Sequence, residues 1–265
     1  MSAQPEHDHG VRRLAGAAEL LALTAPGGYA RAEVQPGRVD SCWAGPGDAL
    51  GWVVPSRRVP GAAHLVGLGE PRAAAALLRA LLERHGLQIG SVTLPRDADR
   101  HLGPAYRLAP RNDWEWFVTT AEPPQQPREG TVHWLREDAV GDIGQLLEAW
   151  SGRHHAMPGD EGVLRWAGVR EQDGRLLAVA AHTEHRRGVP HLASVATHGD
   201  VRGQGYGGAV TAWLTRRLLA EGAECVTLGM YSDNDVARRL YLRLGYRVAE
   251  HFTSGRLVRA AAPGG

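Results

Sequence analysis

Between residues 191 and 220 the chain reads as an apolar strand, a glycine-rich turn and an amphipathic helix. That order restricts the fold more than any other stretch. The strand is His191-Leu-Ala-Ser-Val-Ala-Thr197 and the turn is Val201-Arg-Gly-Gln-Gly-Tyr-Gly-Gly208. Glycines let the backbone turn tightly and come close to a ligand. The N–H groups that open the following helix then point outward, and the helix dipole favours an anion there. Arg202 to Gly208 is therefore a candidate phosphate cradle. Val210, Leu214 and Leu218 recur at i, i+4 and i+8 with Trp213 beside them, which predicts the helix, and Gly222 follows as its stop.

Two phosphate motifs are excluded. A nucleoside triphosphate loop of the G-x-x-x-x-G-K-[ST] kind needs a lysine. All 30 basic residues of this chain are arginine, which also removes Schiff-base and lysine-nucleophile chemistry. A dinucleotide fingerprint wants G-x-G-x-x-G, whereas Gly203, Gly205 and Gly207 are spaced G-x-G-x-G. The spacing that remains is Arg-x-x-Gly-x-Gly, carried by Arg202, Gly205 and Gly207.

A second block lies downstream. Glu224-Cys-Val-Thr-Leu-Gly-Met-Tyr231 reads as a strand, and Asn234, Ala237, Tyr241 and Gly245-Tyr246 come after it. Val236, Ala237, Leu240, Tyr241 and Leu244 have helical spacing, with Asp233 expected as the N-cap and Gly245 as the left-handed end. In this order and separation the two blocks resemble the GNAT superfamily of acyl-CoA-dependent N-acyltransferases. The first matches its coenzyme A pyrophosphate loop and the second its N-x-x-A-x-x-x-Y-x-x-x-G-[FY] helix. The resemblance covers roughly residues 131 to 260.

The resemblance implies acetyl-CoA as co-substrate, with no metal. It places the pyrophosphate at Arg202, Gly203, Gln204, Gly205, Tyr206, Gly207 and Gly208, held mainly by backbone N–H groups. It implies a splayed strand whose residues Val195, Ala196 and Thr197 hydrogen-bond the pantetheine amides and present an N–H to the oxyanion. Asn234 would lie near the pantetheine arm, and Tyr241 would be the catalytic acid that protonates the departing thiolate. The implied reaction is direct attack by a primary amine of a small molecule: an amino acid, a metabolite or an antibiotic. A non-catalytic acyl-CoA-binding module, a longer acyl donor and a protein acceptor stay open as alternatives.

Composition narrows the partners. The 265 residues carry a net charge of +1, so nothing electrostatic favours nucleic acid or an anionic membrane surface. No stretch reaches the ~20 apolar residues of a membrane span. The N-terminus has no signal-peptide core, and Cys42 and Cys225 read as reduced thiols, so the expected location is cytoplasmic, as a monomer or homodimer. His7-Asp8-His9 is read as part of a frayed tail over residues 1–10.

Glu122-Pro-Pro-Gln-Gln-Pro-Arg-Glu-Gly130 reads as a linker between a domain at 11–121 and a catalytic domain at 131–265. Downstream the expected order is a strand at 131–136, a helix at 139–150 and a hairpin of strands near 163–170 and 175–184 turning at Asp173-Gly174. The cradle strand, its helix, a strand, a helix and a last strand near 246–253 complete it. Upstream, His64-Leu-Val-Gly-Leu68 leads into Gly69-Glu-Pro-Arg72, a helix from Ala73 to Arg84 and a strand from Gln88 to Leu94. This strand, turn, helix and strand echo the order after His191. The first copy lacks Arg-x-x-Gly-x-Gly, and Glu70 puts negative charge where an anion would sit. The fold class is therefore mixed α/β, with a mostly antiparallel sheet flanked by helices, as two such domains in tandem with one cofactor site.

Two matters stay open at this level. His154, His155, His182, Glu184, His191 and His198 are all candidate bases, and none is selected. Trp114, Trp116, Phe117, Trp150 and Trp166 serve equally as pocket wall or as core.

Overall fold

The computed structural model describes residues 10–25, 28–39, 41–56, 59, 61–83, 86–186 and 188–259. The His7-Asp8-His9 tract and Arg84 lie outside them. The chain divides into two compact units. One comprises Met1–Glu115, Tyr231–Asp233 and Glu250–Gly265, and the other Trp116–Met230 and Asn234–Ala249. The division is not linear in sequence.

The first unit contains β1 (Arg12–Arg13), α1 (Ala17–Ala22), α2 (Tyr29–Glu33), β2 (Ser41–Ala44), β3 (Leu50–Pro55), β4 (Ala63–Leu68), α3 (Pro71–Glu83) and β5 (Ile89–Pro95), together with most of β6 (Tyr106–Thr119). Strands β1 to β4 pair antiparallel in sequence order, and β4 and β5 run parallel. Parallel neighbours need a crossover, and α3 provides it. Pro71 opens that helix, where its missing N–H has no partner to lose. Ala74, Ala75, Leu77, Leu78 and Leu81 form its buried stripe. Ala75, Leu77, Leu78 and Leu81 pack with Trp43, Val53, Leu65, Val92 and Leu94 in one core.

The second unit contains β7 (His133–Trp134), α4 (Val140–Trp150), β8 (Val163–Arg170), β9 (Leu176–Arg186), β10 (Val189–Thr197), α5 (Tyr206–Ala220), β11 (Val226–Tyr231) and α6 (Asp235–Arg243), then the start of β12 (Arg247–Arg259). Its strands lie in the order β11-β10-β9-β8-β7. All neighbours are antiparallel except β10 and β11, which α5 joins as a parallel crossover. One core contains Leu192, Val210, Leu214, Leu218, Val226 and Leu228, packed with α5. A separate core contains Ile143, Leu146 and Leu147 of α4 with Val179, Ala181 and Ala196.

Most expected elements are present, including the hairpin turn, where Gly174 has φ 91°. The strand expected at 131–136 is reduced to His133–Trp134 between short 3₁₀ turns at Glu129–Thr131 and Glu137–Ala139. The last strand is longer than expected. Its residues 252–256 pair antiparallel with Pro95 back to Ser91, so its outer part belongs to the first unit. Among the described residues no helix is long and apolar enough to cross a membrane, and no group of three or more His, Cys, Asp and Glu is placed to hold a metal ion.

Candidate functional site

The site is built where β10 ends and α5 begins. After Thr197 a short 3₁₀ turn, Gly199–Val201, is capped by His198, whose Nδ1 accepts from the Asp200 N–H at 3.3 Å. The chain then turns through Gly203 (φ 77°) and Gly205 (φ 89°), a left-handed conformation that disfavours any residue with a Cβ. Gly205 is the N-cap of α5, and no side chain caps the helix. Its carbonyl accepts the first helical bond, from the Ala209 N–H at 2.9 Å. The N–H groups of Tyr206, Gly207 and Gly208 therefore open the helix without an intrahelical partner. Gln204 is different, because its N–H already donates to the Val201 carbonyl at 3.3 Å.

The other two glycines are there for closeness. A Cβ on Gly207 would stand 3.0 Å from Thr197 Oγ1, and one on Gly208 would stand 3.2 Å from Leu240 Cδ1. The turn is thus drawn tight against β10 and α6. A row of outward amides in which Gly207 and Gly208 carry no side chain suits a diphosphate.

Arg202 holds a fixed position in this turn. Its Nη2 donates to the Trp150 carbonyl at 2.8 Å, and its guanidinium lies 5.5 Å from the Trp150 ring centre. Trp150 also packs against His198, with ring centres 5.0 Å apart. The arginine therefore ties the cradle to the end of α4.

Strand β10 diverges from β11. Among the described residues the two pair at His191 with Thr227 and Leu192 with Leu228. On the other edge β10 stays with β9 as far as Thr197 opposite Ala178, with a bulge between Ala193 and Ala196. Ser194 sits in that bulge with φ 49°, a left-handed value uncommon for a residue with a side chain. Its Oγ accepts the N–H of His155 at 3.2 Å and of Ala156 at 2.9 Å, and donates to the Ala156 carbonyl at 2.8 Å. The loop after α4 is thereby fastened to the bulge. The His198 N–H donates to Leu177, on the β9 side, at 2.8 Å. By strand alternation the main-chain groups of Ala196 face that same way, and those of Val195 and Thr197 face the opened side.

Helix α6 carries two of the expected residues, Asn234 at its start and Tyr241 on its buried face. Asn234, not Asp233, is the N-cap: its Oδ1 accepts the Ala237 N–H at 3.1 Å. The position one residue later is the one whose side chain reaches the third helical N–H. At the far end Gly245 has φ 87°, and the Tyr246 N–H returns to the Tyr241 carbonyl at 3.0 Å, a Schellman closure. Tyr241 is 6% exposed, and its ring meets Phe117 edge-on at 5.9 Å. Burial pushes its phenol up to about 12. Tyr246 is likewise raised by burial, but its hydroxyl is paired with Thr215 at 2.7 Å.

Residues 127–246 match the acetyltransferase (GNAT) family model. This part of the chain is a GNAT-family domain. No curated protein matches the sequence. Among solved structures, the GCN5-related N-acetyltransferase from Sphaerobacter thermophilus aligns over 98% of each chain with a TM-score of 0.61 at 18% identity. A GNAT-family protein from Novosphingobium aromaticivorans aligns over 74% of this chain and 84% of its own, with a TM-score of 0.53 at 23% identity. The GNAT-family acetyltransferase from Colwellia psychrerythraea covers 94% and 99%, with a TM-score of 0.53 at 10% identity. At these identities the likeness is one of fold. The GNAT family and the mixed α/β fold are those expected from the sequence, and together they support an acyl-CoA N-acetyltransferase in general.

Within the GNAT domain the candidate bases separate by chemistry. His182 is 4% exposed, and its Nδ1 accepts from Arg165 Nε at 3.2 Å. Its proton is then on Nε2, so the ring has no basic nitrogen to offer. Burial, and then Arg165, hold its pKa below the ordinary value. His198 spends its Nδ1 lone pair on the Asp200 N–H in the same way. His154 is the reverse: Nδ1 lies 2.9 Å from the Ser151 carbonyl, which only accepts, so Nε2 is the basic nitrogen. His191 Nδ1 lies 3.1 Å from Thr227 Oγ1, whose own proton goes to the Pro190 carbonyl, so its Nε2 is basic too. Its ring stacks on Trp116 at 4.8 Å. Trp116, Phe117 and Trp166 are core side chains. Trp114 belongs to the first unit, against Phe252 at 4.7 Å and Tyr29 at 5.9 Å. Trp150 is the tryptophan beside the cradle.

Proposed function

We propose that the chain transfers an acetyl group from acetyl-CoA to the primary amine of a small molecule by direct attack. The observation that carries this reading is the uncapped start of α5, with outward amides at Tyr206, Gly207 and Gly208 next to a strand edge that β11 has left. The glycine geometry suits the pyrophosphate, with Gly203 and Gly205 making the turn and Gly207 permitting the close approach. Gln204 contributes to the turn rather than to the free amide row. Val195 and Thr197 offer main-chain groups to the pantetheine amides, with Ala196 between them facing β9.

Acyl-CoA supplies an activated thioester whose carbonyl a neutral amine attacks. A β10 N–H beside the bulge stabilises the charge that develops on the carbonyl oxygen. Tyr241 donates from its hydroxyl to the leaving sulfur. A phenol near 12 is a weaker acid than a thiol near 8.5. Its contribution is therefore a hydrogen bond to the charge developing on sulfur: as the C–N bond forms and the C–S bond breaks, CoA leaves as the thiolate and the proton shed by the acetylated amine passes to water. Asn234 keeps the first turn of α6 in place beside the pantetheine arm.

The first unit is read as a copy that has lost its ligand. In each unit a histidine on the first strand of a parallel pair meets a hydroxyl directly across: His64 Nδ1 and Ser91 Oγ at 2.8 Å, His191 Nδ1 and Thr227 Oγ1 at 3.1 Å. At α3, though, the N–H groups of Arg72 and Ala73 donate to Glu70 Oε2 at 2.9 and 3.1 Å. The chain fills that helix start with its own carboxylate.

Screening acetyl-CoA against a library of small primary amines for thiol release tests the reading. Release with one or more amines, lost in Tyr241→Phe, is the expected result. Tight CoA binding with no release from any amine would favour a binding module instead.

A further inference from the structure

Arg128 belongs to neither sequence motif, yet it grips the cradle at three points. Its Nε donates to the Gln204 carbonyl at 2.9 Å and its Nη1 to Tyr206 Oη at 2.9 Å, and its guanidinium carbon lies 4.4 Å from the Tyr206 ring centre. Gln204 and Tyr206 flank Gly205, the residue whose left-handed turn aims the amides. The rest of the segment is held as well. Arg216 of α5 donates to the Pro123 carbonyl at 2.9 Å and to Glu122 at 3.0 Å, and pairs with the buried Glu129 at 3.4 Å. The proline-rich stretch expected as a linker therefore runs along α5 and delivers Arg128 to the helix start.

A loop with glycines at 203, 205, 207 and 208 is costly to hold in one shape, because each glycine gives up more backbone freedom than another residue. We propose that Arg128 is a positioning residue that sets the 203–208 turn in its ligand-ready form before acyl-CoA arrives. The proposal rests on the reading of that turn as the diphosphate site. Two effects must be separated, because Arg128 and Tyr206 also line an open cavity of about 330 Å³ where a bare positive charge is able to draw an anion. The planar fork holds a carbonyl, a hydroxyl and a ring face together, whereas a lysine ammonium is a point charge that cannot.

The test uses the full chain as wild type, Arg128→Ala, Arg128→Lys and Tyr206→Leu, with CoA as ligand in calorimetry and acetyl-CoA in turnover. A positioning role predicts CoA affinity lower by about 10-fold in Arg128→Ala, with kcat at saturation within about 2-fold. Lysine does not rescue, and Tyr206→Leu, which changes no charge, reproduces much of the loss. In the ligand-free proteins, amide exchange of the peptide spanning 199–210 is faster in Arg128→Ala and Tyr206→Leu than in wild type. Unchanged affinity in Arg128→Ala, full rescue by lysine, or unaltered exchange in the ligand-free variants overturns the proposal. If Arg128→Ala does not fold, Tyr206→Leu carries the same comparison. Failure of wild type to bind CoA counts against the transferase reading, while exchange in the ligand-free proteins still decides whether Arg128 positions the turn.

Discussion

Glu70 and Gly205 hold the same place in their respective units. Each is the residue before its helix, and each carbonyl accepts the first helical hydrogen bond at 2.9 Å, from Ala74 and from Ala209. The side chain separates them. The Glu70 carboxylate satisfies two amides of α3, and Gly205 satisfies none of α5. An orphan amide row is tolerated where water or a ligand completes it, so the open helix is the one expected to bind. Glu70→Ala should lower the stability of the first unit by about 1 kcal/mol, the usual worth of a helix cap, and leave CoA affinity unchanged. Denaturant unfolding and calorimetry on the same variant check both halves of the statement.

The glycines give a steeper prediction. Gly207→Ala places a Cβ 3.0 Å from Thr197 Oγ1, close enough that one of them must give way. Gly205→Ala forces a side chain into a left-handed backbone, at a cost of about 1 kcal/mol. Both variants should stay folded, with KM for acetyl-CoA raised by about 10-fold and kcat much less affected. Equal kinetics in wild type and Gly207→Ala would count against close approach as the reason for this glycine.

Much of this site was legible because its glycines carry a backbone demand that other residues cannot meet. Gly203, Gly205, Gly222 and Gly245 all take positive φ, and each marks a turn or a helix end from local chemistry alone. What stayed hidden depends on partners far away in the chain. The outer part of β12 pairs with β5 more than 150 residues earlier, and alternation along a strand does not name its neighbour. The segment 122–130 has no periodicity, so nothing in it announced that Arg216 and Arg128 fasten it to α5. The Asn234 cap was missed by one residue, because Asp233 and Asn234 are both good caps.

Tyr241→Phe should cut kcat by about 10²-fold, within the range for removing one proton donor, while the affinity for CoA stays nearly constant. The pH dependence comes from the raised phenol. Below pH 10 the tyrosine is protonated in folded and unfolded chains alike, and it contributes no pH dependence. From pH 10, where an unfolded phenol ionises, to about 12, where the buried one does, the unfolded chain loses the proton first and folding stability falls. Turnover should therefore show no loss from Tyr241 ionisation below about pH 11. A falling limb in kcat near pH 9 that Tyr241→Phe abolishes would contradict the buried, high-pKa donor.

Asn234 has a structural duty that can be told apart from a ligand duty. Its side chain caps Ala237 at 3.1 Å, so Asn234→Ala should cost about 1 kcal/mol of stability. Asn234→Asp and Asn234→Ser keep the cap. If they also keep KM for acetyl-CoA, capping is the whole role. A raised KM in Asn234→Asp at unaltered stability assigns the side-chain amide a contact with the pantetheine arm.

The central claim is that the unpaired amides at the start of α5 grip the diphosphate of acyl-CoA while the corresponding start of α3 is already filled. Amide hydrogen exchange with and without CoA tests it most directly, comparing peptides spanning 199–210 and 66–76. Slowed exchange confined to the first peptide is the predicted result. No slowing at 199–210 in CoA-saturated protein, or slowing at 66–76 instead, contradicts the account.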